Sequence, residues 1–178
     1  MKTEDTLFTA DIRPLSVGVL VMSEANAFSL AACVDPMRAA NRRAGRTLFH
    51  WAFLSAAGGP VTLTAGFDVA TTPLPDHATF DLLFIVAGFR LEEQVTSDLL
   101  SRLRRLAPQV RAMGGVDGGS WFLARAGLLD EHAATTHWED LEAFASRFPG
   151  IEVRRDRYVI SGNRVTTGGA APCLDMML

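Results

Sequence analysis

Short apolar runs that alternate with helical stretches indicate a layered α/β fold. The clearest runs are LSVGVLVM (15–22), FDLLFIV (80–86) and the segment 110–116. Each is short and apolar, as a parallel strand buried on both faces should be. Two further segments extend the predicted sheet. The run TLFHWAFLSA (47–56) has the aromatic and apolar content of a strand, and residues 61–71 favour a small hairpin.

Helical spacing fills the gaps between these runs. The first helix has either Asn26 or Ser29 as its N-cap, and Pro36 is expected to kink it or to shift its start. The remaining helices are expected over three segments: 95–106, 120–128 and 139–147. This order predicts an α/β sandwich with a mostly parallel sheet, in which ligands bind beyond the carboxyl ends of the strands.

The composition fits one globular domain. Of the 178 residues, 48% are hydrophobic and 21% are charged, which is enough for one sizeable core and argues against disorder. The two cysteines, Cys33 and Cys173, are too few for a disulfide scaffold and are typical of a reducing compartment. We expect residues 1–14 to form a flexible tail and residues 15–178 to form the domain.

Charge and targeting features exclude several classes of function. A formal net charge of −3 gives no attraction to nucleic acid. No apolar run approaches the roughly 20 residues that span a bilayer, and the first residues are not signal-like, so we place the chain in the cytoplasm. His50, His77 and His132 have no cysteine or carboxylate at zinc-like spacing. We therefore predict no metal and no cofactor.

A strand enters a helix through one tight turn at Asp117. The sequence VRAMGGVDGGSWFLARAGLL places this single larger residue between small ones, as in a nucleophile elbow. A working elbow carries serine or cysteine at its tip, whereas a carboxylate at a helix N-terminus is a poor nucleophile. Asp117 is therefore either the N-cap of the following helix or a ligand contact.

His137 follows twenty residues after the elbow, in ATTHWEDLEAF. It is either part of the first turn of the helix at 139–147 or the partner of Asp117. With an aspartate at the elbow, such a pair forms an ion pair or one polar wall of a pocket.

Four segments in register resemble a known family. They are VDPMRAANR (34–42), DGGSWFLARAGLLD (117–130), ATTHWEDLEAF (134–144) and VTTGGAAPCLDMML (165–178). Together they resemble the N-terminal domain of AraC-type transcriptional regulators whose sensor is PfpI-like, that is, class I glutamine amidotransferase-like. The resemblance runs from about Leu15 to the last residue. It implies a flavodoxin-like sandwich with helices on both faces of the sheet, and a domain that dimerises.

The resemblance also implies roles for particular residues. Asp117 stands where enzymes of the wider PfpI superfamily have their nucleophilic cysteine, and His137 stands where they have the partnering histidine. Ser29 stands where some of them keep an acidic residue that tunes the cysteine. Gly88 resembles the position whose N–H helps to line the oxyanion site, and Phe89 is expected to face the same pocket. The replaced nucleophile and acid imply a pocket without thiol chemistry.

The class of effector is also implied by the resemblance, since relatives of this regulator class respond to betaines, carnitine and arginine. Asp117 and Trp138 would hold a cationic head by charge and cation–π attraction, whereas the helix N-terminus at Gly118 would favour a carboxylate. Phe28 is either ligand-facing or part of the core, as is Phe89. The predicted ligand-binding set is Asn26, Phe28, Gly88, Phe89, Asp117, Gly118, His137 and Trp138.

Three functions follow from these features. The first is a non-catalytic effector-binding domain that forms a homodimer and reaches DNA through a helix-turn-helix domain, expected after Leu178 and not in this sequence. The alternative is a hydrolase, hydratase or isomerase of the PfpI type that uses Asp117 and His137. The third is an interaction module without a ligand.

Overall fold

The structure, a computed structural model, describes residues 13–178. These residues form ten strands: β1 (Leu15–Val21), β2 (Phe49–Ser55), β3 (Gly59–Thr62), β4 (Asp68–Pro73), β5 (Leu82–Ala87), β6 (Ala112–Asp117), β7 (Ala133–Ala134), β8 (Glu152–Val153), β9 (Tyr158–Ser161) and β10 (Arg164–Thr167). They also form six α-helices: α1 (Ala27–Ala44), α2 (Leu91–Gln94), α3 (Ser97–Leu106), α4 (Gly119–Arg125), α5 (Leu141–Arg147) and α6 (Ala170–Met177). A 3-10 turn over Ala107–Gln109 follows α3.

Eight of the strands make one sheet in the order β3-β4-β2-β1-β5-β6-β10-β9. In this order, every neighbouring pair from β4 to β10 is parallel: β4 with β2, β2 with β1, β1 with β5, β5 with β6, and β6 with β10. The outer pairs, β3 with β4 and β10 with β9, are antiparallel, while β7 and β8 pair separately. The predicted sandwich with a mostly parallel sheet is therefore confirmed.

Helices cover both faces of the sheet because its central strands are apolar on both sides. All six residues of β5 are buried, and successive residues of a strand point to opposite faces. Leu83 and Ile85 belong to the core shared with α3, α4 and α5. Leu82 and Phe84 belong to the core shared with α1 and α6. The β5 strand is thus the centre of two hydrophobic cores.

Helix α1 begins at Ala27 because Asn26 caps it. The Oδ1 atom of Asn26 accepts a hydrogen bond from the Phe28 N–H over 2.8 Å, so Asn26 and not Ser29 is the N-cap. Pro36 lies inside the helix, which continues to Ala44. The later start that Pro36 suggested is wrong.

Most predicted elements are present with shifted ends, and several others were not predicted. The hairpin expected at 61–71 is formed by β3 and β4. Strands β9 and β10 and the short pair β7 and β8 are additional. Residues 1–12 of the predicted tail lie outside the described part of the chain. Arg13 binds both carboxylate oxygens of Asp81, at 2.8 and 2.6 Å, so the inner end of that segment is anchored.

Helices α1 and α6 meet through two buried cysteines. Cys33 on α1 and Cys173 on α6 both have no exposed surface and are not in a disulfide. A hydrogen bond with the Cys173 thiol, together with burial, raises the pKa of the Cys33 thiol well above its usual value. The two thiols therefore act as packing groups between the helices.

No helix within residues 13–178 is both long enough and apolar enough to cross a membrane.

Candidate functional site

A cavity of about 220 Å³ opens at the carboxyl ends of the central strands. Its lining is made of residues at or after the ends of β1, β5 and β6 and of residues from one further loop: Asn26, Gly88, Phe89, Arg90, Leu91, Asp117, His137, Glu139 and Asp140. In the sheet, β2 lies on one side of β1 and β5 lies on the other side. This is the point where the strand order reverses, which is where open α/β sheets bind ligands. We call it the Asp117 cavity.

The turn at Asp117 has the geometry of an elbow. Asp117 is the last residue of β6 and has a φ of +60°, in the left-handed region that aspartate tolerates better than most residues. Two glycines let α4 approach the sheet closely. A Cβ on Gly115 would lie 2.6 Å from the backbone nitrogen of Ser120, and one on Gly119 would overlap the carbonyl oxygen of Ile85. The small residues beside Asp117 are therefore required by packing.

The carboxylate of Asp117 is bound by α1 and does not cap α4. Ser29, which has no exposed surface, donates a hydrogen bond from Oγ to Oδ2 of Asp117 over 3.0 Å. The residue that precedes α4 is Gly118, and no side chain caps that helix. The N-cap interpretation of Asp117 is therefore wrong. Ser29 lies beside the elbow, at the place that the resemblance gave to an acidic residue.

A chain of buried hydroxyls fixes the loop that carries His137. Ser120 on α4 donates to the carbonyl of Thr135 over 2.8 Å. The N–H of Thr135 donates to Oγ1 of Thr166 on β10, also over 2.8 Å. Because these bonds attach the loop to both α4 and β10, His137 lies on the wall of the same cavity as Asp117.

The cavity is predominantly acidic. Burial raises the pKa of Asp117, and the charge of Asp140 adds to the rise. The hydrogen bond from Ser29 and the nearby His137 act in the opposite direction and lower this pKa. Burial also raises the pKa of Asp140. His137 lowers this pKa, and Glu139 raises it. Nδ1 of His137 lies 3.7 Å from a carboxylate oxygen of Glu139. Three carboxyl groups thus surround one histidine.

Three residues with left-handed backbone conformations border this region. Glu24, Arg90 and Asp117 have φ values of 58°, 55° and 60°. The carbonyl of Glu24 accepts the N–H of Phe89 over 3.3 Å, and a Cβ on Gly88 would lie 2.5 Å from it. Such conformations cost about 1–3 kcal/mol each and concentrate at functional sites. Their position here supports the cavity as the functional site.

The structure brings five of the eight predicted residues to the cavity: Asn26, Gly88, Phe89, Asp117 and His137. Phe28 is not among the lining residues. It borders a separate groove between α1 and α6. Asn26, which lines the cavity, is only two positions earlier, but positions two apart on a helix do not share a face. Phe28 therefore lies outside the Asp117 cavity.

Gly118 and Trp138 also differ from their predicted places. The N–H of Gly118 donates to the carbonyl of Ala87 over 3.0 Å, so it is already engaged. Trp138 is 71% exposed and does not line the cavity, although its ring lies 5.7 Å from that of His137. Trp121 packs edge-on against Phe144 and Phe148, away from the cavity lining.

Four lining residues were not predicted: Arg90, Leu91, Glu139 and Asp140. The first two follow Phe89 directly, and the other two follow Trp138. Three of these four residues, Arg90, Glu139 and Asp140, are charged and directly follow predicted site residues in the sequence, which is the signal that identifies them. Within residues 13–178 no group of three or more histidine, cysteine, aspartate or glutamate residues has a metal-binding arrangement.

Comparison with known proteins identifies the family and several relatives. The model of the DJ-1/PfpI family matches residues 17–178. Two regulators of Pseudomonas aeruginosa are similar in sequence. The HTH-type transcriptional regulator CdhR is 39% identical over 89% of this chain and 47% of its own length. The HTH-type transcriptional regulator GbdR is 36% identical over 93% of this chain and 45% of its own length. The chain thus spans about half the length of these relatives.

A solved structure shares the fold. The crystal structure of an AraC family transcriptional regulator from Pseudomonas putida superposes with a TM-score of 0.82, covering 92% of this chain and 89% of that one, at 24% identity.

Proposed function

This chain belongs to the DJ-1/PfpI family, and we propose that it is the effector-binding and dimerisation domain of an AraC-type transcriptional regulator. In this role it binds a small polar metabolite of amino-acid, betaine or amine type in the Asp117 cavity, and it catalyses no reaction. The whole regulator would act in the cytoplasm and contact DNA through a helix-turn-helix domain outside these residues. Its similarity to CdhR and GbdR, which are named as HTH-type regulators, supports the regulatory part of the proposal.

One observation carries the effector-binding part. The elbow of the fold presents a partly buried carboxylate, Asp117, to a cavity of about 220 Å³. With Glu139 and Asp140 from a second loop, the lining of this cavity carries an excess of negative charge. A cation placed there gains Coulombic energy in surroundings that contain less water than the surface does. This favours a ligand with a positively charged group.

The absence of thiol chemistry supports a sensor over an enzyme. Both cysteines lie between α1 and α6 and are fully buried, so neither lines the Asp117 cavity. At the elbow the chain offers the carboxyl group of Asp117, which accepts a hydrogen bond from Ser29. A carboxylate is a poor nucleophile compared with the thiolate of cysteine.

A thermal-shift screen of amines, betaines and amino acids tests effector binding. A ligand at about 100 times its dissociation constant adds about 2.7 kcal/mol to the free energy of unfolding, and therefore raises Tm measurably. We expect Asp117→Ala to abolish the shift, and Asp156→Ala, at an exposed aspartate outside the cavity, to retain it. Unchanged binding by Asp117→Ala would show that the ligand binds elsewhere. Turnover of any ligand that is lost on His137→Ala would favour the enzymatic alternative.

An apolar groove between α1 and α6 supports dimerisation. Phe28 is 57% exposed and Leu178 is 90% exposed at this groove, and contiguous apolar surface often marks an interface. Sedimentation of the wild-type chain should show a dimer that Phe28→Glu weakens. Phe67→Glu is the matched control because Phe67 is 53% exposed but lies away from the groove. A wild-type monomer at all concentrations would refute dimerisation.

A further inference from the structure

We propose that Arg90 binds the carboxylate of a zwitterionic effector, so that the Asp117 cavity selects zwitterions over simple amines. This inference rests on the proposed function and narrows its ligand class. Under this proposal, different lining residues bind the two ends of one ligand.

The acidic wall accounts for the positive end of the ligand. Asp117, Glu139 and Asp140 are all on the lining. A cationic group near them is favoured, but any amine satisfies this requirement equally well. The acidic wall alone therefore does not distinguish an amino acid from its decarboxylated amine.

The negative end needs a donor, and the expected one is occupied. The N–H of Gly118, at the start of α4, donates to the carbonyl of Ala87 over 3.0 Å. Among the nine lining residues, Arg90 alone has a permanent positive charge. A guanidinium group matches a carboxylate in both charge and hydrogen-bonding geometry. Arg90 is therefore the lining side chain whose charge and geometry best suit a carboxylate.

The position of Arg90 is fixed by its neighbours. Its backbone adopts the left-handed conformation, with φ 55° and ψ 38°, which is unfavourable for an arginine and places it directly before α2. Gln94 holds the same segment by donating to the carbonyls of Ser23 and Phe89, at 2.9 and 3.1 Å. A strained conformation that is held by several bonds is typical of a residue with a functional role.

The guanidinium group is oriented before any ligand binds. Nε and Nη2 of Arg90 donate to the two carboxylate oxygens of Glu93, at 3.0 and 2.5 Å. Within the described residues, Nη1 makes no hydrogen bond to another group. The pair with Glu93 thus fixes the plane of the group and leaves donors for an incoming carboxylate. A fixed donor loses less conformational entropy on binding than a flexible one does.

Isothermal titration calorimetry with two matched ligand pairs tests the proposal. The pairs are glycine betaine with choline, and L-arginine with agmatine, in which the second member lacks the carboxylate. We expect the wild-type chain to bind at least one zwitterion more tightly than its partner amine. Arg90→Gln should weaken binding of that zwitterion by about tenfold to a hundredfold, as expected for the loss of a charge-assisted hydrogen bond, and change binding of the amine by less than twofold.

Two further variants isolate the contribution of Arg90. Arg38→Gln is the matched control, because Arg38 also forms an exposed i,i+3 ion pair, with Asp35, but does not line the cavity. It should bind both ligands as the wild type does. The double variant Arg90→Gln/Glu93→Gln removes the unpaired Glu93 charge and should still lose zwitterion binding. This result would show that the loss does not come from repulsion by Glu93.

The outcomes separate the two proposals. If the amine binds as tightly as the zwitterion, or if Arg90→Gln binds the zwitterion as the wild type does, the role of Arg90 is refuted while effector binding stands. If none of the four compounds binds the wild-type chain, the ligand class of the proposed function is refuted, and this inference with it.

Discussion

The hydroxyl of Ser29 donates a hydrogen bond to Oδ2 of Asp117 over 3.0 Å, which links α1 to the end of β6. Two opposing effects meet at this contact. Burial of Asp117 favours its protonated form, and the bond from Ser29 favours the carboxylate. Burial has the larger effect, so the pKa of Asp117 lies above its ordinary value of 3.8.

Ser29→Ala removes this support from the carboxylate. We expect the free energy of unfolding at neutral pH to fall by about 1–3 kcal/mol, because a partly buried charged acceptor loses its donor. Urea unfolding measures the change. In an Asp117→Ala chain the same replacement should cost much less, since the partner is already gone. An equal cost in the two backgrounds would show that the bond contributes little.

Asp117→Asn should stabilise the protein at pH 7.5. Because the folded state raises the pKa of Asp117, it binds a proton more tightly than the unfolded state does, and stability falls as pH rises from 3.8 through the raised pKa. Asparagine does not titrate in this range and retains an oxygen that accepts from Ser29. The Tm difference between variant and wild type should shrink as pH falls toward 3.8, as calorimetry between pH 3.5 and 8 can show. A difference that grows on acidification would contradict this account.

Gly119→Ala should destabilise the fold, because its Cβ would overlap the carbonyl oxygen of Ile85. A cost of about 1–3 kcal/mol or more is expected, since the clash is with backbone that cannot rotate away. Gly150→Ala is the matched control. Its Cβ would meet nothing within 4 Å, and a change within about 0.5 kcal/mol is expected there. Chemical denaturation of both variants distinguishes close packing from a general effect of replacing glycine.

Asp81→Asn should lower the free energy of unfolding by about 1–3 kcal/mol. The Asp81 side chain is 10% exposed and accepts bonds from Arg13 and from the N–H of Ser16. Asp35→Asn, in an exposed pair with Arg38, should have little effect. Equal effects of the two substitutions in urea unfolding would contradict the prediction.

The stability that Asp81 and Asp117 contribute should respond to pH in opposite directions. Hydrogen bonding from Arg13 holds the pKa of Asp81 below its ordinary value of 3.8, so the stability it contributes is present above pH 3.8 and is lost as pH falls through the lowered pKa. The stability difference between wild type and Asp81→Asn should therefore disappear in strong acid. For Asp117, it is the destabilising effect of the ionised wild-type side chain that disappears in strong acid.

The central strands could be predicted from the sequence because they consist almost entirely of apolar residues. FDLLFIV has apolar residues for both faces of β5, and both faces are covered. Strands β9 and β10 were missed because RYVISGNRVTT mixes polar and apolar residues. In β10 the polar side chains of Arg164 and Thr166 are buried, through bonds to Leu128 and Thr135. Such bonds depend on long-range contacts that no local pattern reveals.

Half of the site followed from the sequence for a similar reason. Asp117 was identifiable because its elbow is a local feature, and His137 because it follows at a fixed place in a familiar segment. Arg90 and Asp140 reach the cavity because two loops, distant in sequence, fold to the same edge of the sheet. The misplacement of Phe28 came from the rotation of α1, which the exact position of its N-cap decides.

Two contacts of α1 lie one helical turn apart. Ser29, which donates to Asp117, and Cys33, which is hydrogen-bonded with the Cys173 thiol of α6, are four residues apart on the same side of this helix, about 6 Å along its axis. Neither proline nor glycine lies between them. One uninterrupted turn of α1 therefore joins the elbow of the candidate site to α6.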